Sequence, residues 1–167
     1  MNKKKILSFL LCAALLFALF GCAKPAAEKT AVRIAFFPNI THAQALIGSA
    51  KDSTGTSRFE QALEGCTVEY KSFNAGPAEI EALFSGSVDI GYIGPVPAIN
   101  GFVRSGGDVV IISGAANGGA ILVARSDAAI TSVADLAGKK VAIPQLGNTQ
   151  HLSLLQLLSA NGLATTS

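Results

Sequence analysis

The residues of this 167-residue chain that could do chemistry are uncharged polar side chains in short loops, each following a predicted strand. Most of these loops pair glycine or proline with asparagine, threonine, glutamine or histidine, which is typical of a shaped polar pocket. In open α/β sheets, ligands bind outside the carboxyl ends of the strands, where such loops lie. The candidate ligand-binding residues are Asn39, Thr41, His42, Asn74, Gly76, Tyr92, Gly94, Asn117, Gly118, Asn148, Thr149 and Gln150.

Three of these loops lead into predicted helices, near Thr41, Ala78 and Thr149. A helix N-terminus presents free N–H groups and the positive end of the helix dipole, so it can bind an anion without lysine or arginine. The alternative for any single loop is ordinary capping and turn chemistry, which contributes about 1 kcal/mol per cap. Together, five candidate loops at one sheet edge favour a binding site, at residues 38–42, 74–77, 92–95, 114–119 and 145–150.

The same residues give little support to catalysis. His42 and His151 could each be a general base or a metal ligand, but no His or Cys partner stands at ligand spacing. A polar helix-start residue is the simpler interpretation of both. The chain has no G-x-S-x-G motif and no candidate nucleophile, and residues 114–119 form no phosphate-binding loop. We predict no enzyme, no metal and no cofactor. Tyr92 is either an aromatic surface for a ligand or a strand-end core residue.

The elements that position the loops alternate along the chain. Apolar runs predict strands at residues 32–37, 67–73, 88–93, 109–113, 120–124 and 140–143. Caps and apolar stripes predict helices at residues 42–50, 58–63, 78–84, 98–104, 133–137 and 150–161. Thr41 is the predicted cap of the first helix. This alternation predicts an α/β fold with a parallel sheet and helices on both faces.

The N-terminus has the layout of a bacterial lipoprotein signal. Residues 3–5 are lysines, residues 6–20 carry no charge, and residues 19–22 (LFGC) resemble a lipobox. We predict a signal peptide at residues 1–21, lipid attachment at Cys22 and a tether over residues 22–30. A transmembrane anchor is one alternative, although the apolar run of about 15 residues is shorter than the roughly 20 that a spanning helix needs. An unmodified cysteine after a common signal is the other.

The charge and the cysteine content of the chain restrict the kinds of partner and cross-link that can be expected. The predicted signal holds three of the 13 Lys+Arg and none of the 11 Asp+Glu, so the remainder is close to neutral. No basic patch indicates nucleic acid. Cys66 is the one cysteine left unmodified, so no disulfide framework is expected. Three acidic residues are predicted to be solvated charges on helices and turns, namely Glu79, Glu81 and Asp89.

Several motifs resemble the solute-binding proteins of the nitrate/sulfonate/taurine group of ABC transporters, the set related to thiamine-precursor binders. They are RIAFFPNITH at residues 33–42, FNAGPAEIEAL at 73–83, DIGYIGP at 89–95 and DLAGKKVAIPQLGNTQ at 135–150. The similarity extends over residues 32–163. It implies a periplasmic-binding-protein-like (type II) fold, with lobe one at residues 31–118 and an incomplete start of lobe two, with the hinge, at residues 119–167. A C-terminally truncated chain of this kind is expected to bind solute weakly or not at all.

The function that the resemblance implies is capture of a small anionic solute for an ABC importer. The expected ligand is an aliphatic sulfonate, taurine or nitrate, held in a cleft between lobes by a monomer at the outer face of the cell membrane. The expected partners are ABC permease subunits and, through lipid on Cys22, the membrane. The alternatives are a thiamine-precursor pyrimidine binder, a cytoplasmic biosynthetic enzyme on the same fold, and a sensory lipoprotein.

Overall fold

The strand with the longest buried apolar run, Ala31–Phe36 (β1), lies at the centre of the sheet. The computed structural model describes residues 30–118 and 120–165. In it, Thr67–Ser72 (β2) and Ile90–Gly91 (β3) pair with β1 on either side, both parallel to it. The central strand of a parallel sheet is usually covered by helices on both faces, which fits the mainly apolar sequence of β1, interrupted by Arg33.

Helices make the crossovers between these strands, because parallel neighbours cannot be joined by a tight turn. The helices are Ala43–Ser49 (α1), Arg58–Ala62 (α2), Gly76–Phe84 (α3), Pro95–Arg104 (α4) and Thr149–Ala160 (α5). Short 3-10 helices occur at Ile40–His42 and Val133–Leu136. Among these described elements, no helix combines the length and apolarity needed to cross a bilayer.

The core lies between the sheet and helices α3 and α4. Ile34 and Ala35 of β1 are buried, and Ile80 of α3 is 2% exposed. Gly101 of α4 lets the two helices approach, since a Cβ there would lie 2.6 Å from Ile80 Cδ1. Burying a side chain the size of isoleucine contributes about 1.5–3 kcal/mol, so this contact is a main reason that α3 and α4 pack together.

An ion pair joins β1 to β3 at the end of the sheet away from the candidate loops. Arg33 Nη2 lies 2.7 Å from Asp89 Oδ1, and the backbone N–H of Arg33 donates to Asp89 Oδ2. These bonds lower the pKa of Asp89. The Asp89 side chain is therefore a partner of β1, although it is partly exposed as the sequence predicted.

The predicted strands at residues 109–113, 120–124 and 140–143 are wrong for the described structure, in which these residues pair with no neighbour. Val110, Ile111 and Ile112 are 59%, 65% and 73% exposed. Apolar residues form a strand only beside a partner that completes the hydrogen-bond ladder. β3 is also shorter than predicted, since only Ile90 and Gly91 pair with β1.

Four helix starts differ from the prediction, that of α5 by one residue, since it begins at Thr149. α3 begins at Gly76 and α4 at Pro95, each earlier than expected, because proline is well suited to the first turn of a helix. Thr41 caps no helix. Its N–H is accepted by Asn39, which caps a 3-10 turn, and α1 begins only at Ala43.

The signal peptide predicted at residues 1–21, the lipid site predicted at Cys22 and nearly all of the tether lie outside the described residues.

Candidate functional site

The loop after β1 is held by its own asparagine and histidine. Asn39 Oδ1 accepts the N–H and the hydroxyl of Thr41 at 3.1 and 2.6 Å. His42 Nδ1 accepts the backbone N–H of Phe37 at 3.0 Å. All three bonds are local in sequence, so residues 37–42 specify the conformation of this loop without help from the rest of the fold.

The ring of His42 lies against two aromatic rings at this sheet edge. It stacks on Phe37 at a centroid distance of 4.3 Å and lies 6.4 Å from the ring of Tyr92. Burial lowers the pKa of His42, which is 6% exposed, so the neutral form is favoured. Because Nδ1 accepts a hydrogen bond, the proton of the neutral ring is on Nε2.

Gly76 places the start of α3 directly against the start of α4. A Cβ at position 76 would overlap the ring of Pro97, with 2.8 Å to Pro97 Cβ, and would lie 3.3 Å from Ile93 Cγ1. Glycine is therefore required by close packing. The N–H groups of Gly76 and Ala78 have no side-chain cap and make no hydrogen bond with other described residues.

A second contact brings the loop after residue 143 to the same place. Gly94 lies against Thr149, where a Cβ at position 94 would be 3.5 Å from Thr149 Cβ and closer still to its hydroxyl. That hydroxyl is also 3.5 Å from the backbone nitrogen of Val96. Because residues 95 and 97 of α4 are prolines, Val96 has the one backbone N–H among the first three residues of this helix. The Thr149 hydroxyl lies next to that N–H.

The start of α5, like the loop after β1, is held by local hydrogen bonds to an asparagine and a histidine. Asn148, 4% exposed, accepts the N–H of His151 at 2.8 Å. His151 Nδ1 accepts the N–H of Gly147 at 3.1 Å. The N–H groups of Thr149 and Gln150 make no hydrogen bond with described residues, as expected at a helix N-terminus.

The predicted site residues divide into two groups. His42, Tyr92, Gly76, Gly94 and Thr149 are brought together by the contacts above, and Asn148 and Thr41 order the adjoining loops. Among described residues, the others are exposed, and their side chains contribute no bond beyond their own loop: Asn39, Asn74, Asn117, Gly118 and Gln150. The loop of Asn117 does approach α1, because Gln44 Nε2 donates to the carbonyl of Ala115.

Glu79 is a residue whose environment the sequence prediction had wrong. Its side chain is fully buried, and neither carboxyl oxygen has a hydrogen-bond partner among described residues. The carboxyl group occupies the space above Gly91, where a Cβ would lie 2.9 Å from Glu79 Cδ and 3.3 Å from Ala35 Cβ. Burial raises the pKa of Glu79 to about 8. Glu79 is therefore predominantly protonated at neutral pH.

A metal centre is not assembled in the part of the chain that the structure describes. No three His, Cys, Asp or Glu side chains lie there in a group that could hold an ion. The site instead offers backbone N–H groups at two helix starts and the ring of His42 beside that of Tyr92.

Comparison with known proteins identifies a family and relatives of this chain. Residues 56–167 match the family described as "ABC transporter, phosphonate, periplasmic substrate-binding protein". An Escherichia coli (strain K12) protein named for aliphatic sulfonate binding is 38% identical over 130 residues, covering 72% of this chain and 40% of that protein. The taurine-binding periplasmic protein of the same organism is 32% identical over 100 residues, covering 59% of this chain and 30% of that protein.

The fold agrees with a solved structure, the alkanesulfonate-binding protein SsuA from Xanthomonas axonopodis pv. citri bound to MOPS. The TM-score is 0.55 at 25% identity, covering 84% of this chain and 46% of that one. The chain thus spans less than half the length of these relatives and has part of a periplasmic-binding-protein-like (type II) fold, as predicted. Members of the family are substrate-binding components of transporters and not enzymes. The chain belongs to the family of periplasmic substrate-binding proteins of ABC transporters.

Proposed function

We propose that this chain is the solute-binding part of an extracytoplasmic receptor of an ABC importer, and that its solute is an aliphatic sulfonate or taurine. The observation that carries the proposal is the contact of Gly94 with Thr149, which joins the loop after β3 to the start of α5. It supports a site shared by residues 31–118 and residues 119–167, the segments that we assign to lobe one and to the hinge with the start of lobe two.

An anion suits the donors at this place. The five candidate loops contain no lysine or arginine. The free N–H groups at the starts of α3 and α5, with the helix dipoles behind them, are the electrostatic equivalent of a weak positive charge. A sulfonate has three acceptor oxygens and can be held by several such donors at once. Closure of two lobes around it would exclude water and strengthen each bond.

A thiamine-precursor pyrimidine is the second candidate, and one observation favours it. The ring of His42 lies 4.3 Å from that of Phe37 and 6.4 Å from that of Tyr92, and a flat heterocycle could stack beside these rings. Nitrate is a smaller oxyanion that the same N–H groups could hold.

Solute identity is tested by thermal unfolding with each candidate at concentrations up to about 100 mM, because even a weakly bound ligand then stabilises the folded state. A ligand that binds the folded state raises the Tm in proportion to the logarithm of its concentration. We expect taurine and short alkanesulfonates to raise the Tm most, nitrate to raise it less because it has no alkyl group to bury, and a hydroxymethylpyrimidine to leave it unchanged. Stabilisation by the pyrimidine alone would refute the sulfonate assignment.

We further propose that Cys22 bears the lipid that holds the receptor at the membrane, with residues 22–30 as the tether. More than one acyl chain gives stable anchoring, since each buried CH2 contributes about 0.8 kcal/mol. In a bacterial host, the wild-type protein should sediment with membranes, and Cys22→Ala should be released or remain an uncleaved precursor. Cys66→Ala is the matched control and should stay in the membrane fraction. Labelled palmitate should be incorporated into the wild type and not into Cys22→Ala, and a wild-type protein that carries no label would argue for a transmembrane anchor.

A further inference from the structure

The Glu79 carboxyl is a buried ionisable group that makes no bond within the described part of the fold. The residue is 0% exposed, and neither carboxyl oxygen has a hydrogen-bond partner among described residues. An unpaired polar group in a protein interior destabilises the folded state, and an ionised one does so far more strongly. An apolar side chain of similar size would avoid this cost, so packing alone does not account for a glutamate at this position.

Glu79 lies directly beneath the candidate site. It belongs to the first turn of α3, three residues after Gly76, so the two residues share one face of the helix about 5 Å apart along its axis. The Glu79 carboxyl fills the space over Gly91, where a Cβ would lie 2.9 Å from Glu79 Cδ. Gly91 immediately precedes Tyr92 and is the Cα partner of Ala35 on β1. The carboxyl is therefore one helical turn from the free N–H of Gly76.

No charge on the surrounding elements offsets an ionised Glu79. The other titratable groups on α3, α4 and the three strands, or directly beside them, are Arg33, Glu69, Tyr70, Lys71, Glu81, Asp89, Tyr92, Arg104 and His42. Both arginines are paired with acids of this set at 2.7 Å. Lys71 is on β2, which lies on the far side of β1 and about 10 Å from β3. Burial raises the pKa of Glu79 to about 8, and no neighbouring charge contributes.

The protonation state of Glu79 decides the sign of the electrostatic potential at the start of α3. With its proton Glu79 is neutral, and the free N–H groups and dipole of α3 present a partial positive charge to a ligand. Without the proton, a full negative charge stands in the first turn, outweighs that partial charge and repels a second anion. Because the carboxyl is shielded from water, salt screens this repulsion only weakly.

We propose that Glu79 sets the charge selectivity of the candidate site, which accepts an anionic solute while this buried carboxyl holds its proton and loses affinity for it when the proton leaves for water. The inference rests on the proposed function and adds a regulatory proton to it. Coupling between two bound species is reciprocal, so the bound anion makes Glu79 hold its proton more tightly. Solute and proton therefore bind together.

The test is calorimetric titration of the wild-type protein with ethanesulfonate, which is an anion throughout the range from pH 7 to pH 9. His42 is uncharged in this range, because burial lowers its pKa below 6.5. We expect the Kd for ethanesulfonate to rise by about five- to tenfold from pH 7 to pH 9. Titrations at pH 8 in buffers of different ionisation enthalpy should show uptake of about half a proton per bound solute.

Glu79→Gln keeps the size of the side chain and removes its ionisation. The readout is its slope with pH, which should be flat, and its proton uptake, which should be absent. Glu81→Gln, exposed on the same helix, is the matched control and should follow the wild type in both measurements. Circular dichroism at each pH gives the folded fraction, so that loss of affinity is separated from unfolding.

The outcomes separate this inference from the proposed function. Ethanesulfonate binding with the same Kd at pH 7 and pH 9, or with equal slopes in wild type and Glu79→Gln, would overturn the role of Glu79 and leave the sulfonate assignment standing. Absence of ethanesulfonate binding at every pH would refute the proposed function and this inference with it. The proton uptake of the wild type requires no variant, so the test does not depend on how Glu79→Gln folds.

Discussion

Glu79→Gln should remove most of the pH dependence of folding stability between about pH 5 and about pH 8, and should stabilise the chain at the upper end. The Glu79 carboxyl is fully buried without a partner, and burial raises its pKa from 4.5 to about 8. The folded state therefore holds this proton more tightly than the unfolded state does. Stability is complete below the unfolded pKa and is lost as the pH rises through the folded pKa.

The expected size follows from the linkage relation. Wild-type unfolding free energy should fall by about 1.4 kcal/mol for each pH unit in this window. Glu79→Gln should then be about 2–4 kcal/mol more stable than wild type at pH 8, because a neutral amide has no ionisation to suppress. Urea unfolding at a series of pH values measures both quantities.

The control is Glu81→Gln, two residues along the same helix. The Glu81 side chain is 61% exposed and pairs with Arg104 at 2.7 Å. Exposed pairs contribute about 0–1 kcal/mol, so this variant should follow the wild-type pH profile. Burial of His42 gives a pH dependence of the opposite sign, but it is common to all three proteins and cancels in the comparison. Parallel profiles for wild type and Glu79→Gln would contradict the account of Glu79.

Gly76→Ala should destabilise the chain by about 1–3 kcal/mol, the usual cost of overpacking. The added Cβ would overlap the ring of Pro97 in the first turn of α4 and would lie 3.3 Å from Ile93 Cγ1. A proline ring cannot rotate away as a flexible side chain can, so the starts of α3 and α4 must separate. An alanine in an ordinary helix position would instead be favourable relative to glycine.

The matched control for this variant is Gly114→Ala. A Cβ at position 114 would meet no atom within 4 Å, and the backbone there is not in the left-handed region. We expect Gly114→Ala to remain within about 0.5 kcal/mol of wild type. Urea midpoints that are equal for the two variants would show that α3 and α4 do not depend on a glycine at their contact.

The sequence predicted the first half of the fold well because its signals there are local. These signals are an apolar run in β1, alternation in β2 and an apolar stripe in the helix at Gly76–Phe84. The strand predicted at residues 109–113 was wrong because pairing depends on a neighbour that the run itself does not specify. Periodicity reports what a residue prefers, not whether a partner is present.

Two features of the site lay beyond the sequence prediction for a different reason. A charged residue on a helix, such as Glu79, is predicted to be solvated. Its burial depends on Gly91, which has no side chain to occupy the space that the Glu79 carboxyl fills. The second feature is the order of the loop before α5, where Asn148 accepts the N–H of His151 and His151 Nδ1 accepts the N–H of Gly147.

The most direct test of the central claim is a map of where solute contacts the protein. Backbone 1H–15N spectra recorded during titration with taurine and with ethanesulfonate should show shifts concentrated at the amides of His42, Gly76, Tyr92 and Thr149. Amides of β2, whose residues take no part in the candidate site, serve as the internal reference. Shifts confined to the amides of His42, Gly76, Tyr92 and Thr149 would support an anion site at the carboxyl ends of β1 and β3. Shifts at other amides would contradict this site. So would the absence of shifts with both sulfonates while a pyrimidine shifts these four amides.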